Sequence, residues 1–430
     1  DIPEGVVLFK DVNLDKAIRD ALGIPIELLK KEDLAKLTEL DARADRDSEA
    51  SAKITDLTGL EYCTGLTKLV LLQNKIRDVN SLANLTNLKH LGLYHNQIRD
   101  ISPLANLSSL TNLDLNANQV TDLNDMANLT SLIYLYLNDN QLTNIDGLIN
   151  LRKLEILHLV DNKIADISPL SNLTNLTQLY VRGNQLKDIS GIANLTNVNN
   201  LILSNNQITD ISALSKLTGL VYLNLHYNQI NDLSPLIDMI GIKELYLEGN
   251  QVREITPLIK NTGISGKINL KNNPLSNIAY TTHIPALIKK GITIEHDVVP
   301  AGTVTFKDAN LEKAIRDALG IPTELLKKED LAGSEMLVYE GKGGAKISDL
   351  TGLEHCTSLT NLELKSNQLS DLSPLVNLAT GYLDLRSNQI SDISALVENT
   401  GISGKINLKD NPLSNIALST HISALEARGI

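Results

Sequence analysis

Histidine and tyrosine side chains offer the first suggestion of chemistry in this sequence. His90 and His95 lie five residues apart, with Tyr94 between them. A metal site would need further ligands from elsewhere in the chain, so contact with a partner is favoured over metal binding. The glycine-rich stretch GKGGAK, residues 341–346, lacks the spacing of a phosphate-binding loop and is interpreted as an ordinary loop. Because acid, base and nucleophile converge nowhere, neither catalysis nor a cofactor is predicted.

Charge and cysteine content narrow the possible functions further. The net charge is −12, which argues against a nucleic-acid partner because phosphate binding needs a basic surface. No apolar run reaches the roughly 18 residues of a transmembrane helix. Cys63 and Cys356 occupy equivalent places in a duplicated segment and are interpreted as two buried thiols. A disulfide between them and a reactive thiol are the alternatives.

A repeated unit supplies the framework for these side chains. The pattern L-x-L-x-x-N-x-I/L/V recurs with a constant step of 22 residues. Its asparagines are Asn74, Asn96, Asn118, Asn140, Asn162, Asn184, Asn206, Asn228 and Asn250. A tenth asparagine, Asn273, follows after 23 residues. Equal steps of this length predict a solenoid of stacked coils.

Each unit predicts one coil of that solenoid. Leu91 and Leu93 alternate with Gly92 and Tyr94, the period of a short strand with one buried side. The amide of Asn96 can donate to and accept from backbone groups that a tight coil leaves unpaired, so stacked asparagines should form an internal ladder. The apolar residues expected to point inward around the rest of this coil are Ile98, Ile101, Leu104, Leu107 and Leu110.

The back of each coil is too short for a long helix. Ser-Pro pairs such as Ser102-Pro103 predict a helix-capping serine, then proline at the first position of a single 3₁₀ or α turn. One acid per coil precedes this turn and is expected to favour its start. A row of calcium ligands is the alternative. The acids are Asp78, Asp100, Asp122, Asp166, Asp188, Asp210 and Asp232.

Duplicated ends divide the chain. Residues 9–30 recur at 306–327, and residues 261–292 recur at 399–430. In the first helical cap we expect a helix capped by Asn13 and ended by Gly23 and Pro25, then a second short helix from Ile26 to Leu37. The expected domains are a helical cap (1–55), a repeat array (56–260), a C-terminal cap (261–296), a linker (297–303), a second helical cap (304–347), a short array (348–398) and a final cap (399–430).

The 22-residue unit, with its phrase I-x-D-I-S-P-L-A-N-L-T, resembles the internalin-type leucine-rich repeat of bacterial surface and secreted proteins. The helical segment before Leu60-Glu61-Tyr62 is similar to the internalin cap. The resemblance covers nearly the whole chain and implies an α/β solenoid with a parallel sheet on its concave face, short 3₁₀ or extended convex segments and helical caps. It also implies an adhesion or recognition role, on or outside a bacterial cell.

Exposed strand positions are the candidate binding surface. They lie six, four, two and one residues before each ladder asparagine and hold seven of the eleven tyrosines. Interfaces favour tyrosine, although strands favour it as well. Tyr136, His158, Tyr180 and Ile202 share one column on successive strands. The predicted ligand-binding residues are Tyr94, His95, Tyr134, Tyr136, His158, Tyr180, Arg182, Tyr222, His226, Tyr227, Tyr246 and Glu248.

These residues predict a non-enzymatic module that binds a protein or a carbohydrate and is a monomer or a weak oligomer. Histidines among the tyrosines suggest pH-sensitive binding. A structural spacer that assembles through its edges or caps is one alternative. An intracellular scaffold is another.

Overall fold

The computed structural model describes residues 3–45, 47, 49–322, 324–341, 343 and 345–430. They form two compact units. Unit 1 comprises Asp1–Gln251 and Lys260–Lys271, and unit 2 comprises Val252–Ile259 and Asn272–Ile430. One boundary, between residues 271 and 272, falls inside the segment assigned above to the first C-terminal cap, and residues 252–259 of the expected repeat array belong to unit 2. The seven-part division remains a prediction. The GKGGAK loop prediction lies partly outside the described residues.

Unit 1 is a stack of coils whose short strands pair side by side in chain order. All of these pairs are parallel and join residues at equivalent places in successive repeats, such as Leu91 with Leu113. The strands are β1 (Glu39–Asp41), β2 (Lys68–Val70), β3 (His90–Gly92), β4 (Asn112–Asp114), β5 (Tyr134–Tyr136), β6 (Ile156–His158), β7 (Gln178–Tyr180), β8 (Asn200–Ile202), β9 (Tyr222–Asn224), β10 (Glu244–Tyr246) and β11 (Lys267–Asn269). The expected leucine-rich-repeat solenoid is therefore confirmed.

The core of unit 1 consists of the leucines and isoleucines that each coil directs inward. Ile98, Ile101, Leu104, Leu107 and Leu110 are all at most 4% exposed, as predicted. Identical slots in successive coils stack these side chains into one continuous apolar interior, which no single coil could bury alone.

The buried asparagines of the repeat donate to and accept from backbone groups and join every coil to the one before it. The Asn162 amide donates to Leu137 O at 2.9 Å and to Leu159 O at 3.2 Å. Its Oδ1 accepts from Leu142 N at 3.0 Å. Two of these three partners belong to the preceding coil, so one buried side chain satisfies backbone groups of both coils.

Single 3₁₀ turns form the other side of unit 1, and aspartates start them. Asp100 Oδ1 accepts from Ser102 N at 2.9 Å, and each of the other six predicted acids does the same two residues ahead of its own turn. The capping role expected of these acids is confirmed. The role expected of serine is wrong. Ser102 is the first residue of the turn Ser102–Leu104, Ile101 precedes it as the N-cap residue, and the Asp100 carboxylate accepts the Ser102 N–H.

The turns of this kind in unit 1 follow one another along the stack. They are Ala50–Ala52, Leu60–Tyr62, Asn80–Leu82, Ser102–Leu104, Asn124–Met126, Asp146–Leu148, Ser168–Asn172, Ser190–Ile192, Ser212–Lys216 and Ser234–Leu236.

The first helical cap differs from expectation in two details. Helix α1 (Val12–Leu22) is capped by Asp11, whose Oδ1 accepts from Asn13 N and Leu14 N, and not by Asn13. Gly23 ends it in the left-handed conformation, as predicted. The second helix, α2, spans only Lys31–Leu34. It starts late because Lys30 forms an antiparallel bridge with Val6, and the extended backbone of that bridge excludes helix.

Unit 2 contains the duplicated cap and a short array. Its four-stranded parallel sheet runs in chain order, over a core that includes Phe306. The strands are β12 (Thr293–Glu295), outside that sheet, then β13 (Met336–Val338), β14 (Asn361–Glu363), β15 (Tyr382–Asp384) and β16 (Lys405–Asn407). The remaining helices are α3 (Thr256–Lys260, whose last residue belongs to unit 1), α4 (Ile284–Lys289), α5 (Ala309–Leu319), α6 (Lys328–Ala332), α7 (Ser394–Glu398) and α8 (Ile422–Ala427).

The remaining turns of unit 2 are of two kinds. The 3₁₀ turns are Leu353–His355 and Ser373–Leu375, and the π-helical turns are Ala279–His283 and Ala417–His421.

Both cysteines are buried free thiols, as predicted. Burial raises the pKa of Cys63 and that of Cys356 to about 12, so both side chains stay protonated at neutral pH. Among the described residues, every helix is too short or too polar to cross a lipid bilayer.

Asn162→Ala should destabilise unit 1 by about 3 kcal/mol, because three buried backbone groups would lose their partner. The midpoint of chemical denaturation measures this loss. The matched control is Asn150→Ala, since Asn150 is exposed. A midpoint for Asn162→Ala equal to that of the control would show that the ladder does not hold the coils together.

Candidate binding surface

The candidate surface is the solvent-facing side of the unit 1 sheet. We call it the strand face and define it as the residues six, four, two and one positions before each ladder asparagine. In β5, Leu135 is fully buried, while Tyr134 and Tyr136 on either side of it are half-buried. The tyrosines therefore lie outside the stack, with part of each ring open to solvent.

Three rings form a row across neighbouring strands, which we call the aromatic ridge: Tyr136, His158 and Tyr180. Strand register aligns Tyr136 with His158 and His158 with Tyr180. The first pair meets edge to face with centroids 5.0 Å apart, and the second stacks at 4.1 Å with an interplanar angle of 15°. Ile202 continues the same column on β8. The predicted column is thus a set of rings in direct contact.

His158 lies at the centre of the ridge and is neutral at physiological pH. Burial lowers its pKa below the usual value of 6.5. Tyr136 and Tyr180 on the flanking strands are uncharged at neutral pH, and burial raises the pKa of each phenol further above its usual value of 10. A side-chain hydrogen bond from Gln178 acts against this lowering of the His158 pKa, and Asn200 lies beside the Tyr180 hydroxyl.

A second cluster lies further along the sheet and comprises Tyr222, His226, Tyr227 and Tyr246. The centroids of Tyr222 and Tyr246 are 5.3 Å apart, and His226 meets Tyr246 at 5.1 Å and Tyr227 at 6.0 Å. Glu248 belongs to this cluster, since it accepts a 2.9 Å bond from the Tyr227 hydroxyl. Five predicted residues therefore meet here.

The position before each ladder asparagine has a positive φ, which disfavours residues with a Cβ atom other than asparagine and aspartate. Gly183 and Gly249 occupy it in two coils, with φ of 68° in both, and Asn205 occupies it in a third. In two other coils it holds His95, with φ of 56°, and Tyr227, with φ of 53°. A large side chain in this region costs about 1–2 kcal/mol, and such strain concentrates at functional sites.

The other predicted residues lie apart from the two clusters. Tyr94 and His95 line a recess of about 110 Å³ with Lys53 and Gln73 near the first cap. Tyr134 is half-buried beside the ridge, and Arg182 is exposed two residues beyond Tyr180.

Several contributors were missed from the sequence. Asp114 borders the ridge, and burial raises its pKa. Asn116 and Asn138 were candidates by position, but each accepts a backbone N–H bond from the next coil, at 2.6 and 2.8 Å. These two side chains therefore support the sheet. The repeat spacing already placed Asp114 and Asn200 on the strand face, and this could have identified them. Their burial could not be predicted from the sequence.

The arrangement suits contact with a partner. Across the described part of the chain, His, Cys, Asp and Glu side chains nowhere gather in a group of three or more able to hold a metal ion. What the strand face offers is aromatic surface with hydroxyl, amide and carboxylate groups between the rings. Such surfaces bind by shape and desolvation.

Parallel coils of this length, an internal asparagine ladder and an open sheet face define a leucine-rich-repeat protein. A sequence model of the family "Leucine Rich repeats (2 copies)" matches residues 86–128, 130–172, 152–194 and 196–238. Comparison with curated proteins gave no significant match.

Three solved structures that are similar to this chain come from Listeria monocytogenes. An internalin, InlF, is 26% identical, with a TM-score of 0.56 over 95% of this chain and 96% of that one. Internalin C2 is 31% identical over 55% of this chain and 92% of that one, with a TM-score of 0.43. The functional domain of InlJ, which includes a cysteine ladder, is 22% identical, with a TM-score of 0.56 over 93% of this chain and 75% of that one. This chain belongs to the bacterial leucine-rich-repeat proteins of the internalin type.

Lowering the pH from about 7 to about 5 should reduce the Tm of the wild-type chain more than that of His158→Gln. Because burial lowers the pKa of His158, the unfolded chain binds a proton at this residue at a higher pH than the folded chain does. Neutral His158 makes its full contribution to the free energy of unfolding above the pKa that it has in the unfolded chain. This contribution is lost as the pH falls through the pKa that it has in the folded chain. Thermal melts at the two pH values measure the difference.

His90→Gln is the matched control, because His90 is an exposed histidine of the same face. His283, whose pKa burial also lowers, is retained in both variants and contributes equally. Equal losses of Tm for wild type and His158→Gln would contradict the assignment.

Proposed function

We propose that this protein is a non-enzymatic recognition module that binds a protein partner through the strand face of unit 1, on its concave side. The observation that carries the proposal is the contact of aromatic rings across neighbouring strands on a surface open to solvent. Tyr136, His158 and Tyr180 touch one another while each remains half-buried.

Ring contacts of this kind favour binding because they fix the side chains beforehand. Tyrosine offers a large area with few rotatable bonds, and a ring held by its neighbours loses little entropy on association. Several hydroxyls are also oriented: Tyr246 donates to Glu244 at 2.6 Å, and Tyr227 donates to Glu248. The left-handed backbone of Tyr227 supports the same role, since glycine or asparagine, which other coils have at this position, would adopt it at lower cost.

Charge on the strand face indicates the kind of partner. Across the nine coils with 22-residue spacing, the face carries five acidic and two basic side chains. The acidic residues are Asp114, Asp139, Asp161, Glu244 and Glu248, and the basic residues are Lys68 and Arg182. A partner with an apolar centre and a basic rim would complement this pattern.

A protein is preferred to a glycan as the partner because the two clusters extend over many coils, the dimensions of a protein interface. The internalin-type family supports a place outside the bacterial cell, with an adhesion or recognition role. A glycan ligand, a structural spacer and an intracellular scaffold are the competing functions.

The triple variant Tyr136→Ala/Tyr180→Ala/Tyr246→Ala should lose affinity for the partner by about 100-fold or more, because it removes the rigid aromatic surface of both clusters. The immobilised chain would be used to capture proteins from cell-surface extracts. Affinity for the captured protein would then be measured by surface plasmon resonance. Protease treatment of the extract should abolish capture, and glycosidase treatment should not.

Ile149→Ala/Val221→Ala/Ile240→Ala is the matched control. These three apolar side chains are 46%, 39% and 61% exposed and lie outside the strand-face columns. Both triple variants should keep the wild-type Tm to within a few degrees. If the tyrosine variant captures the partner as well as the control does, the strand face is not the site.

A further inference from the structure

Unit 2 contains a docked pair of caps. The segment from Ser276 to Thr282, at the end of the first repeat array, packs against the second helical cap. Ser276 and Asn277 are fully buried there, and Ile278 is 4% exposed. This contact shows which surfaces of the duplicated caps fit each other.

Asn277 is the centre of that contact. Its Nδ2 donates to Val304 O and to Leu326 O, each at 2.8 Å. Its Oδ1 accepts from Leu326 N and from Arg316, each at 2.9 Å. All four hydrogen-bonding positions of the amide are therefore used.

A carboxylate completes the contact. Glu312 accepts from Asn277 N at 3.2 Å and from Ile278 N at 3.0 Å, and Arg316 pairs with it at 2.9 Å. The Glu312 and Arg316 side chains are only 4% and 6% exposed. Thr282 adds a 3.0 Å bond to Phe306 O.

Each partner of this contact exists a second time in the chain. Residues 414–420 repeat residues 276–282 and keep the asparagine, the isoleucine and the second threonine. Here the segment is open to solvent: Asn415 is exposed, Ile416 is 63% exposed and Leu418 is 54% exposed. The equivalent of Leu418 in the docked copy, Tyr280, is 8% exposed.

The open segment already has the docked conformation. Both copies form a π-helical turn, Ala279–His283 and Ala417–His421. In both, the serine before the asparagine accepts a 3.2 Å bond from the alanine N–H three residues later. A preformed segment avoids an ordering cost on binding.

The first helical cap repeats the receiving surface. Val7 N donates to Leu29 O at 2.9 Å, as Val304 N donates to Leu326 O at 2.9 Å. Arg19 pairs with Asp15 as Arg316 pairs with Glu312, but the Arg19 and Asp15 side chains are 23% and 32% exposed. One exchange, Glu312 for Asp15, shortens the receiving carboxylate by a methylene group.

We propose that a second copy of this chain docks its first helical cap on residues 414–420, reproducing the contact around Asn277 between molecules. The two surfaces differ from each other, so the contact is head-to-tail and adds copies in a row. The contact consists of cap residues and includes no strand-face residue, and it holds whether or not the proposed function does.

Sedimentation velocity over a range of concentrations tests the proposal. The mean mass of the wild-type chain should rise above that of one chain as the concentration increases. Asp15→Glu, which restores the longer carboxylate, should lower the concentration at half-association by about tenfold. Asn415→Ala/Ile416→Asp and Asp15→Ala should each remain single chains. In Asp15→Ala, Arg19 retains its bonds to Ile24 O and Glu27 O, so the cap should stay folded.

Mixing the last two variants supplies the decisive comparison. Each has one intact surface, and the two intact surfaces are complementary, so a 1:1 mixture should form dimers and nothing larger. The proposal is overturned if wild type and Asp15→Glu both remain single chains at the highest soluble concentration. It is also overturned if either end variant still associates alone, or if the mixture stays monomeric.

Discussion

The interior hydrogen bonds of the ladder asparagines are the constraint on which unit 1 depends. A coil that turns back after 22 residues leaves N–H and C=O groups inside an apolar stack, where water cannot reach them. Each ladder amide joins such groups in its own coil and in the preceding one, as Asn96 does with Leu93 O and Leu71 O. Because the asparagine of every coil makes the same hydrogen bonds, the strands stay in register along the sheet.

The strand register places residues that are 22 positions apart in the sequence next to each other on the surface of the sheet. Tyr136, His158 and Tyr180 therefore form a row of touching rings. The leucines between them remain in the core, so the rings can be replaced without opening the apolar interior. The proposed recognition residues and the core residues therefore lie on opposite sides of the same short strand. This separation lets the outer side vary while the coil persists.

Most of the fold followed from the sequence because each coil repeats one local solution. Periodicity placed the strands, the ladder and the aspartates that start the 3₁₀ turns. Two of the errors lie in the first cap, which has no repeated pattern to guide the prediction. Asp11 and Asn13 are both suitable capping residues, so the sequence did not decide between them. The late start of the second helix depends on the bridge between Val6 and Lys30, which is a tertiary contact. In the candidate site, the columns were predictable. The burial of His158 and the strained backbone of Tyr227 were not, since both depend on three-dimensional packing.

The central claim is that the two aromatic clusters are covered when the protein meets its partner. Hydroxyl-radical footprinting of the chain, alone and with the protein that it captures, measures the solvent access of individual tyrosines. Strong protection is expected at Tyr136, Tyr180, Tyr227 and Tyr246, with unchanged oxidation at Tyr62, whose ring lies under Lys31 of the first cap. Protection confined to the caps or to the 3₁₀ side, with the four strand-face tyrosines oxidised as before, would contradict the central claim.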